Sequence, residues 1–318
     1  MKKWWLLGIL VLGFFLGRAQ SNFFFGHYMF NPSYLNPGWS GSEQQAFVAF
    51  QHRSQWVGYS SSFDGTGGAP NTQMLTGIVP IRGFVISSIG INISNDNLGP
   101  QSNFQVQLPL TYTLELRKGQ LHLGAAPGVF SQTQKFNQLR PNEPDDPLIQ
   151  GGNEVQTKFN LSAGLFYSSN DGWFIGLGAV NLMRPGFDFG QEGLSNKQEL
   201  SIAMHGGYSF KINDDLKIAP TALIRSNLTN VTFDLGGIVT LRDKMWGGLS
   251  YRRDESAIIY LGYGLLEDNR LKVGYSFDFV FQNQAAKAPT SHEIFIRYDL
   301  PDVVFGGRKT VKTPRFTF

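Results

Sequence analysis

The stretch Asn103-Phe104-Gln105-Val106-Gln107-Leu108-Pro109-Leu110-Thr111-Tyr112-Thr113-Leu114-Glu115-Leu116 places Phe104, Val106, Leu108, Leu110, Tyr112, Leu114 and Leu116 on one parity. Asn103, Gln105, Gln107, Thr111, Thr113 and Glu115 fall on the other. Successive side chains of a strand point to opposite faces, so the segment has one oily face and one wet face. Residues 270–281 repeat the pattern, with Leu271, Val273, Tyr275, Phe277, Phe279 and Phe281 opposing Lys272, Gly274, Ser276 and Asp278. Alternation sustained over such lengths is what a barrel wall between lipid and water requires.

The same reading, bounded by turn residues, marks about fourteen strands. They are 46–53, 72–79, 84–95, 103–116, 120–130, 155–168, 172–182, 198–211, 216–227, 230–241, 244–254, 256–265, 270–281 and 291–300. The expected fold is all-β, a transmembrane outer-membrane β-barrel with antiparallel strands. Alternate connections are short: 80–83, 117–119, 169–171, 212–215, 242–243 and 266–269. The opposite set contains the long ones, 54–71, 131–154, 183–197 and 282–290, with short members near Leu228 and Glu255. Outer-membrane barrels have short periplasmic turns and longer external loops, and an even strand number returns both ends of the wall to the periplasm. This predicts periplasmic termini and an external rim that is low on one side and tall on the other. Tyr167 and Trp173 flank a short turn as an aromatic girdle would, whereas the parity of Trp246 points it inward.

Composition agrees with this assignment. The chain has 37 glycines, 27 phenylalanines and only 16% charged residues. Its mean hydropathy of −0.16 is compatible with a membrane wall that is apolar on one side only. Residues 1–19 read as a secretory signal: Lys2 and Lys3, an apolar run from Leu6 to Leu16, then Gly17-Arg18-Ala19 before Gln20. The apolar run is shorter than the roughly 20 residues a membrane-spanning helix needs. Lys2, Lys3 and Arg18 account for the excess of 27 basic over 24 acidic residues, so the mature chain carries 24 of each. A neutral chain without a basic stripe gives no support to nucleic-acid binding. With no cysteine, disulfides, thiolate metal sites and cysteine nucleophiles are excluded. A soluble double sandwich would explain the alternation, but not the signal and the loop asymmetry together.

Chemistry-bearing constellations are sparse. The five histidines, His27, His52, His122, His205 and His292, lie in separate segments. No Gly-x-Ser-x-Gly elbow, phosphate loop or metal-spaced histidine pair occurs, which points away from an enzyme and from any cofactor. The loop 142–147 clusters Glu143, Asp145 and Asp146 beside two prolines. Such oxygens suit calcium, but a solvated, proline-stiffened loop tip is the simpler reading. By parity Glu199, His205, Lys211, Asp234, Arg252, Asp278, Arg297 and Asp299 point into the lumen. Either opposite charges pair across a filled interior, or they line a permeation path. A ring of about fourteen strands encloses more than its own side chains fill, so the lumen must be plugged or conduct. The segment before the first strand and the loop 131–154 are the available plugs.

Near the start, Tyr28-Met29-Phe30-Asn31-Pro32-Ser33-Tyr34-Leu35-Asn36-Pro37 is followed by Gly38-Trp39-Ser40-Gly41. Two Asn-Pro steps hold the preceding residues extended, and four large aromatics supply apolar faces with polar handles. Such a segment is ordered by packing, either inside its own barrel or against a partner. It resembles the opening motif of the PorP/SprF family. Arg53-Ser54-Gln55-Trp56-Val57-Gly58, Pro70-Asn71-Thr72, the stretch 90–99, His292-Glu293 and Thr313-Pro314-Arg315-Phe316 resemble later segments of that family, in order.

The resemblance implies a bacterial outer-membrane barrel of Bacteroidetes associated with type IX secretion and, in many members, gliding motility. It implies a role in secreting or holding at the cell surface a protein with a C-terminal sorting domain. It also implies periplasmic partners, namely peptidoglycan-binding lipoproteins and the lipoprotein ring of the secretion machine. The expected organisation is a signal peptide (1–19), a periplasmic or plug segment (20–45), the barrel (46–300) and a periplasmic tail (301–318). On this view Tyr28, Phe30, Asn31, Pro32, Tyr34, Asn36, Pro37, Arg53, Gln55, Trp56, Pro314 and Arg315 form the partner-binding or plug motif. The rival function is an outer-membrane channel for a small amphipathic solute.

Overall fold

The computed structural model of the chain describes residues 23–59, 68–139, 152–189, 196–281 and 287–301. The expected signal 1–19, the loop carboxylates Glu143, Asp145 and Asp146, and the tail residues Pro314 and Arg315 lie outside them. The described residues form an all-β, closed antiparallel barrel of 14 strands. In chain order these are Phe47–Ser54, Asn71–Pro80, Ser88–Leu98, Gln101–Gln107 continued by Leu110–Leu116, Gly119–Lys135, Asn153–Ser169 and Trp173–Val180. Ser201–Tyr208 continued by Phe210–Lys211, Leu216–Ser226, Val231–Leu241, Met245–Arg252, Ser256–Leu265, Leu271–Val280 and Thr290–Asp299 complete the ring. Each strand pairs with its neighbours in sequence, and the first pairs with the last from Phe47 opposite Asp299 to Ser54 opposite His292. Closure leaves no unpaired edge, which is the condition for β-structure in hydrocarbon.

The alternation decides which way each side chain points. In the opening stretch Phe104, Leu108, Tyr112 and Leu116 face outward, while Asn103, Gln107 and Thr111 are buried in the lumen. Tyr275, Phe279 and Phe281 face outward, and Ser276 and Asp278 inward, as their parity requires. Pro109 lacks a donor and interrupts its strand. The ladder survives the gap because the Gly90 N–H donates to the Pro109 carbonyl at 2.8 Å and the Leu108 N–H to the Pro127 carbonyl at 2.9 Å.

All fourteen predicted strands are present; their ends shift by up to five residues, as where 120–130 runs on to Lys135, and one start is misread. The apolar run from Phe84 is not strand: the chain turns at Gly83 (φ +80°), and pairing begins at Ser88. Phe84 and Val85 are left 71% and 78% exposed at a rim, so the apolar residues mark a projecting tip rather than a wall. One rim carries the short connections at 81–87, 117–118, 170–172, 212–215, 242–244 and 266–270. The other carries 55–70, 136–152, 181–200 and 281–289, together with the short 99–100, 227–230 and 253–255. The tall side of this long-loop rim is built by Gly119–Lys135 and Asn153–Ser169, 17 residues each. Tyr167 and Trp173 meet at 4.9 Å beside the 170–172 turn, and Trp246 is buried on the inner face.

The wall's two-sidedness has a measurable consequence. Leu261 faces outward at mid-strand and is 61% exposed to the membrane side. Leu261→Arg is expected to lower folding stability in lipid vesicles by about 2–4 kcal/mol, read from urea unfolding. Leu228→Arg, in the 227–230 turn, should change it by no more than about 0.5 kcal/mol.

Candidate functional site

The lumen is occupied by the chain's own amino-terminal segment, in which every residue from Phe25 to Ser40 is buried. Three 3-10 turns, Tyr28–Phe30, Pro32–Tyr34 and Pro37–Ser42, form this plug. The two Asn-Pro steps explain its shape. Each asparagine is held near extended backbone by the proline after it (φ −152° at Asn31, −147° at Asn36), and each proline opens the next turn, where its missing N–H costs nothing. The Asn36 Oδ1 accepts the Gly38 N–H at 2.9 Å, closing the second step on itself.

The same asparagines fasten the plug to the wall. The Asn31 amide donates to the Thr76 Oγ1 at 2.9 Å and the Gln51 Oε1 at 3.1 Å. The Asn36 amide donates to the Leu165 carbonyl at 2.8 Å and lies 3.1 Å from the His205 Nε2. Asn92 donates to the Ser33 Oγ at 2.9 Å, and Thr111 to the Pro37 carbonyl at 3.2 Å. Around these bonds Phe25, Phe30, Tyr34 and Trp39 join wall residues such as Met74, Phe166, Trp246 and Phe295 in one apolar cluster. Full burial of each such side chain contributes about 1.5–3 kcal/mol.

Composition counted the glycines without showing where they act. Gly124, Gly164 and Gly178 stand opposite one another across three neighbouring strands. A methyl group on Gly124 would strike the backbone of Pro37 and Gly38, one on Gly164 the Asn36 side-chain oxygen, and one on Gly178 the Leu35 carbonyl. The three glycines therefore make a flat strip on which Leu35-Asn36-Pro37-Gly38 lies in direct contact. A groove of about 470 Å³, lined by Ile86, Leu110, Tyr112, Leu123, Ala125 and Leu165 among others, lies on the outer side of this same wall.

Charge gathers at the long-loop end of the lumen. Arg53 reaches Asp278 at 2.6 Å and Glu293 at 3.7 Å; Asp234 holds Arg225 at 3.1 Å and Arg252 at 2.9 Å. Arg252 also stands 3.8 Å from both Glu255 and Asp278. The Phe24 ring covers this network, with the Arg225 guanidinium 3.4 Å from its centroid. Arg225 and Arg252 end or nearly end their strands before the 227–230 and 253–255 turns. The plug thus runs the length of the lumen, from Phe24 at that rim to Ala46 at the other, where the first strand begins. Nearer the short-turn rim a second group joins Glu43 to Arg297 and Arg297 to Asp299, each at 2.7 Å, and Lys272 to Asp299 at 3.2 Å. Opposite signs pair, so the charged lumen residues belong to a filled interior.

Of the residues singled out in the sequence, Tyr28, Phe30, Asn31, Pro32, Tyr34, Asn36 and Pro37 converge in the plug. Arg53 joins the charge network, whereas Gln55 and Trp56 lie at the long-loop rim. There the Trp56 N–H donates to the Ser291 Oγ at 3.0 Å and the Gln55 N–H to the Pro70 carbonyl at 2.8 Å. His205, Asp234, Arg252, Asp278, Arg297 and Asp299 face the lumen as parity demands. Glu199 accepts from Asn227 and is half-buried. Lys211 does not point inward. Its side chain is 61% exposed and paired with Asp214, because the strand breaks at Ser209 and its last two residues run out onto the rim. Arg225 was missed, although the inward series Ala219, Thr221, Leu223, Arg225 contains it.

The sequence matches the model of the type IX secretion system membrane protein PorP/SprF over residues 17–298, nearly the whole chain. The chain belongs to the PorP/SprF family. No curated protein gives a sequence match. Solved structures similar to this PorP/SprF barrel include the toluene transporter TbuX of Ralstonia pickettii, with a TM-score of 0.50 at 10% identity over 86% of this chain and 93% of that one. The CymD monoaromatic hydrocarbon channel is similar at a TM-score of 0.50 and 10% identity, over 89% of this chain and 95% of that one. At this identity the likeness is one of fold. Family and fold together make this PorP/SprF protein an outer-membrane component of type IX secretion.

Two substitutions test the plug's seat. Gly124→Val forces a branched side chain against plug backbone and is expected to cost about 1–3 kcal/mol, lowering the thermal midpoint. Gly77→Ala, whose methyl would meet only the Ile91 Cγ2 at 3.5 Å, should leave it near the wild-type value. Arg53→Met removes the closest cation of Asp278 and a neighbouring one of Glu293, and is expected to cost about 3–5 kcal/mol in the same assay.

Proposed function

We propose that this PorP/SprF protein is a non-enzymatic docking barrel. It holds a cognate exported or surface-anchored protein with a C-terminal sorting domain and links it to periplasmic parts of the secretion machinery. The observation that supports the reading is the filled lumen: with residues 25–40 buried and fastened to several strands, the protein offers partners its rims rather than a path through its centre. On this reading the short-turn rim and the tail 301–318 face the periplasm, and the long-loop rim meets the exported protein. Gln55 and Trp56 stand at that rim, and the loop with Glu143, Asp145 and Asp146 belongs to it. Tyr28 to Pro37 then act inside the barrel, shaping it, and the partners are sought elsewhere. Pro314 and Arg315 belong to the periplasmic contact.

The alternative is a channel for a small amphipathic solute, in the manner that the names of TbuX and CymD describe for those proteins. It requires a lumen that opens, and the plug's contacts with the wall oppose it.

Affinity purification in mild detergent followed by protein identification tests the docking reading. A large exported protein with a C-terminal sorting domain and periplasmic lipoproteins should be recovered in stoichiometric amounts. Recovery of the barrel alone, with solute-specific uptake lost in a deletion strain, would overturn it. In planar bilayers the intact protein should show no large steady conductance; a porin-like current would defeat the closed lumen.

A further inference from the structure

We propose that the plug is also the clasp that closes the barrel, recognising the last strand and setting its register against the first. Apart from two tyrosines, residues 23–46 contain two ionisable side chains, His27 and Glu43. Both engage the same strand, Thr290–Asp299. The Glu293 carboxylate accepts the Gly26 N–H at 2.5 Å, the His27 N–H at 2.9 Å and the His27 Nδ1 at 2.8 Å. At the other end of the plug, Glu43 receives the Arg297 guanidinium at 2.7 and 3.4 Å. Between them Phe295 stacks on His27 at 5.6 Å and packs on Phe30 at 5.5 Å. Glu293, Phe295 and Arg297 are consecutive inward positions of the last strand, and the plug addresses all three.

The contacts continue across the seam. The Leu300 N–H donates to the Ala46 carbonyl at 2.8 Å and the Gln45 amide to the Leu300 carbonyl at 3.2 Å, so the chain leaves the plug already attached to the strand it will pair with. Asn31 meanwhile bonds Gln51 of the first strand. Elsewhere the plug touches the wall through neutral groups of its own: Ser33, Asn36, the Pro37 carbonyl and the Phe24 ring.

A clasp is useful because the ladder cannot choose its own register. Backbone hydrogen bonds are alike at every pairing, and alternation penalises a slip of one residue but not of two, which keeps oily side chains out and polar ones in. A two-residue slip moves Glu293 and Arg297 about 6–7 Å along the strand, beyond reach of His27 and Glu43. The two strands are also the most distant in sequence, so their encounter carries the largest loop-closure penalty in the ring.

The seam can be followed with cysteines on the lipid side, away from the plug. Val48 and Tyr298 face outward and are direct partners, so Val48→Cys with Tyr298→Cys reports the native register. Val48→Cys with Ile296→Cys reports a two-residue slip. In the full-length chain refolding into lipid vesicles, His27→Ala with Glu43→Gln is expected to slow native disulfide formation about tenfold, the scale of losing a charged hydrogen bond. It should also make the slipped disulfide appear. Asn36→Ala removes a plug contact far from the seam, and should lower thermal stability while leaving the rate and register of closure unchanged. Native-register closure at the wild-type rate in the double variant would overturn the proposal. So would an equal slip in Asn36→Ala. If the double variant fails to fold, Glu43→Gln alone decides between the same two outcomes.

Discussion

A ring of fourteen strands is too wide to be filled by the side chains of its own wall, and this constraint governs the rest of the structure. The space is filled by chain that precedes the first strand, so the plug belongs to the fold as much as any strand does. Its backbone must lie close to the wall without regular secondary structure. The solutions are local. Asn-Pro steps shape the plug, asparagine amides carry its bonds, and facing glycines let Leu35 to Gly38 lie against three strands at once. Plug groups then take the place of water for wall residues such as Thr76, Asn92, Thr111 and Glu293.

The buried charges are best understood as a matter of specificity. Removing ions from water is expensive, and a well-packed apolar interior of the same volume is often as stable. Yet Arg53, Arg225 and Arg252 are buried together with Asp234, Asp278, Glu255 and Glu293, on the 253–255 turn and on strands from both sides of the closing seam. Such a network fits one arrangement and penalises the neighbouring ones. That is valuable in a barrel, where every strand presents nearly the same alternating face.

How much of this was legible in the sequence follows from what each signal depends on. Alternation is a property of neighbouring residues, so the fourteen strands could be read directly, and the inward direction of Asp234, Arg252 and Asp278 came with them. It failed where the pattern outlived the strand. Phe84, Val85 and Ile86 are apolar but form a projecting tip, and Lys211 keeps its parity past a break at Ser209. The Asn-Pro aromatic segment announced itself as ordered by packing, but its composition suits a partner's surface as well as its own lumen. Its site on the wall was invisible, since Gly124, Gly164 and Gly178 meet only when three strands are laid side by side. Glu293 and Arg53 stood out only through family likeness, because their meeting requires the ring to close.

The plug's course through the barrel has a mechanical meaning. Phe24 rests on arginines at one mouth, and Ala46 passes into the wall at the other, with a single stretch of covalent backbone between them. A pull exerted on the Phe24 end is therefore carried across the membrane by peptide bonds and delivered to the seam. A sheet in the membrane plane would instead have to shear its hydrogen bonds to transmit the same load. Any load applied along this axis falls on the backbone within the lumen, which is the barrel's tension member.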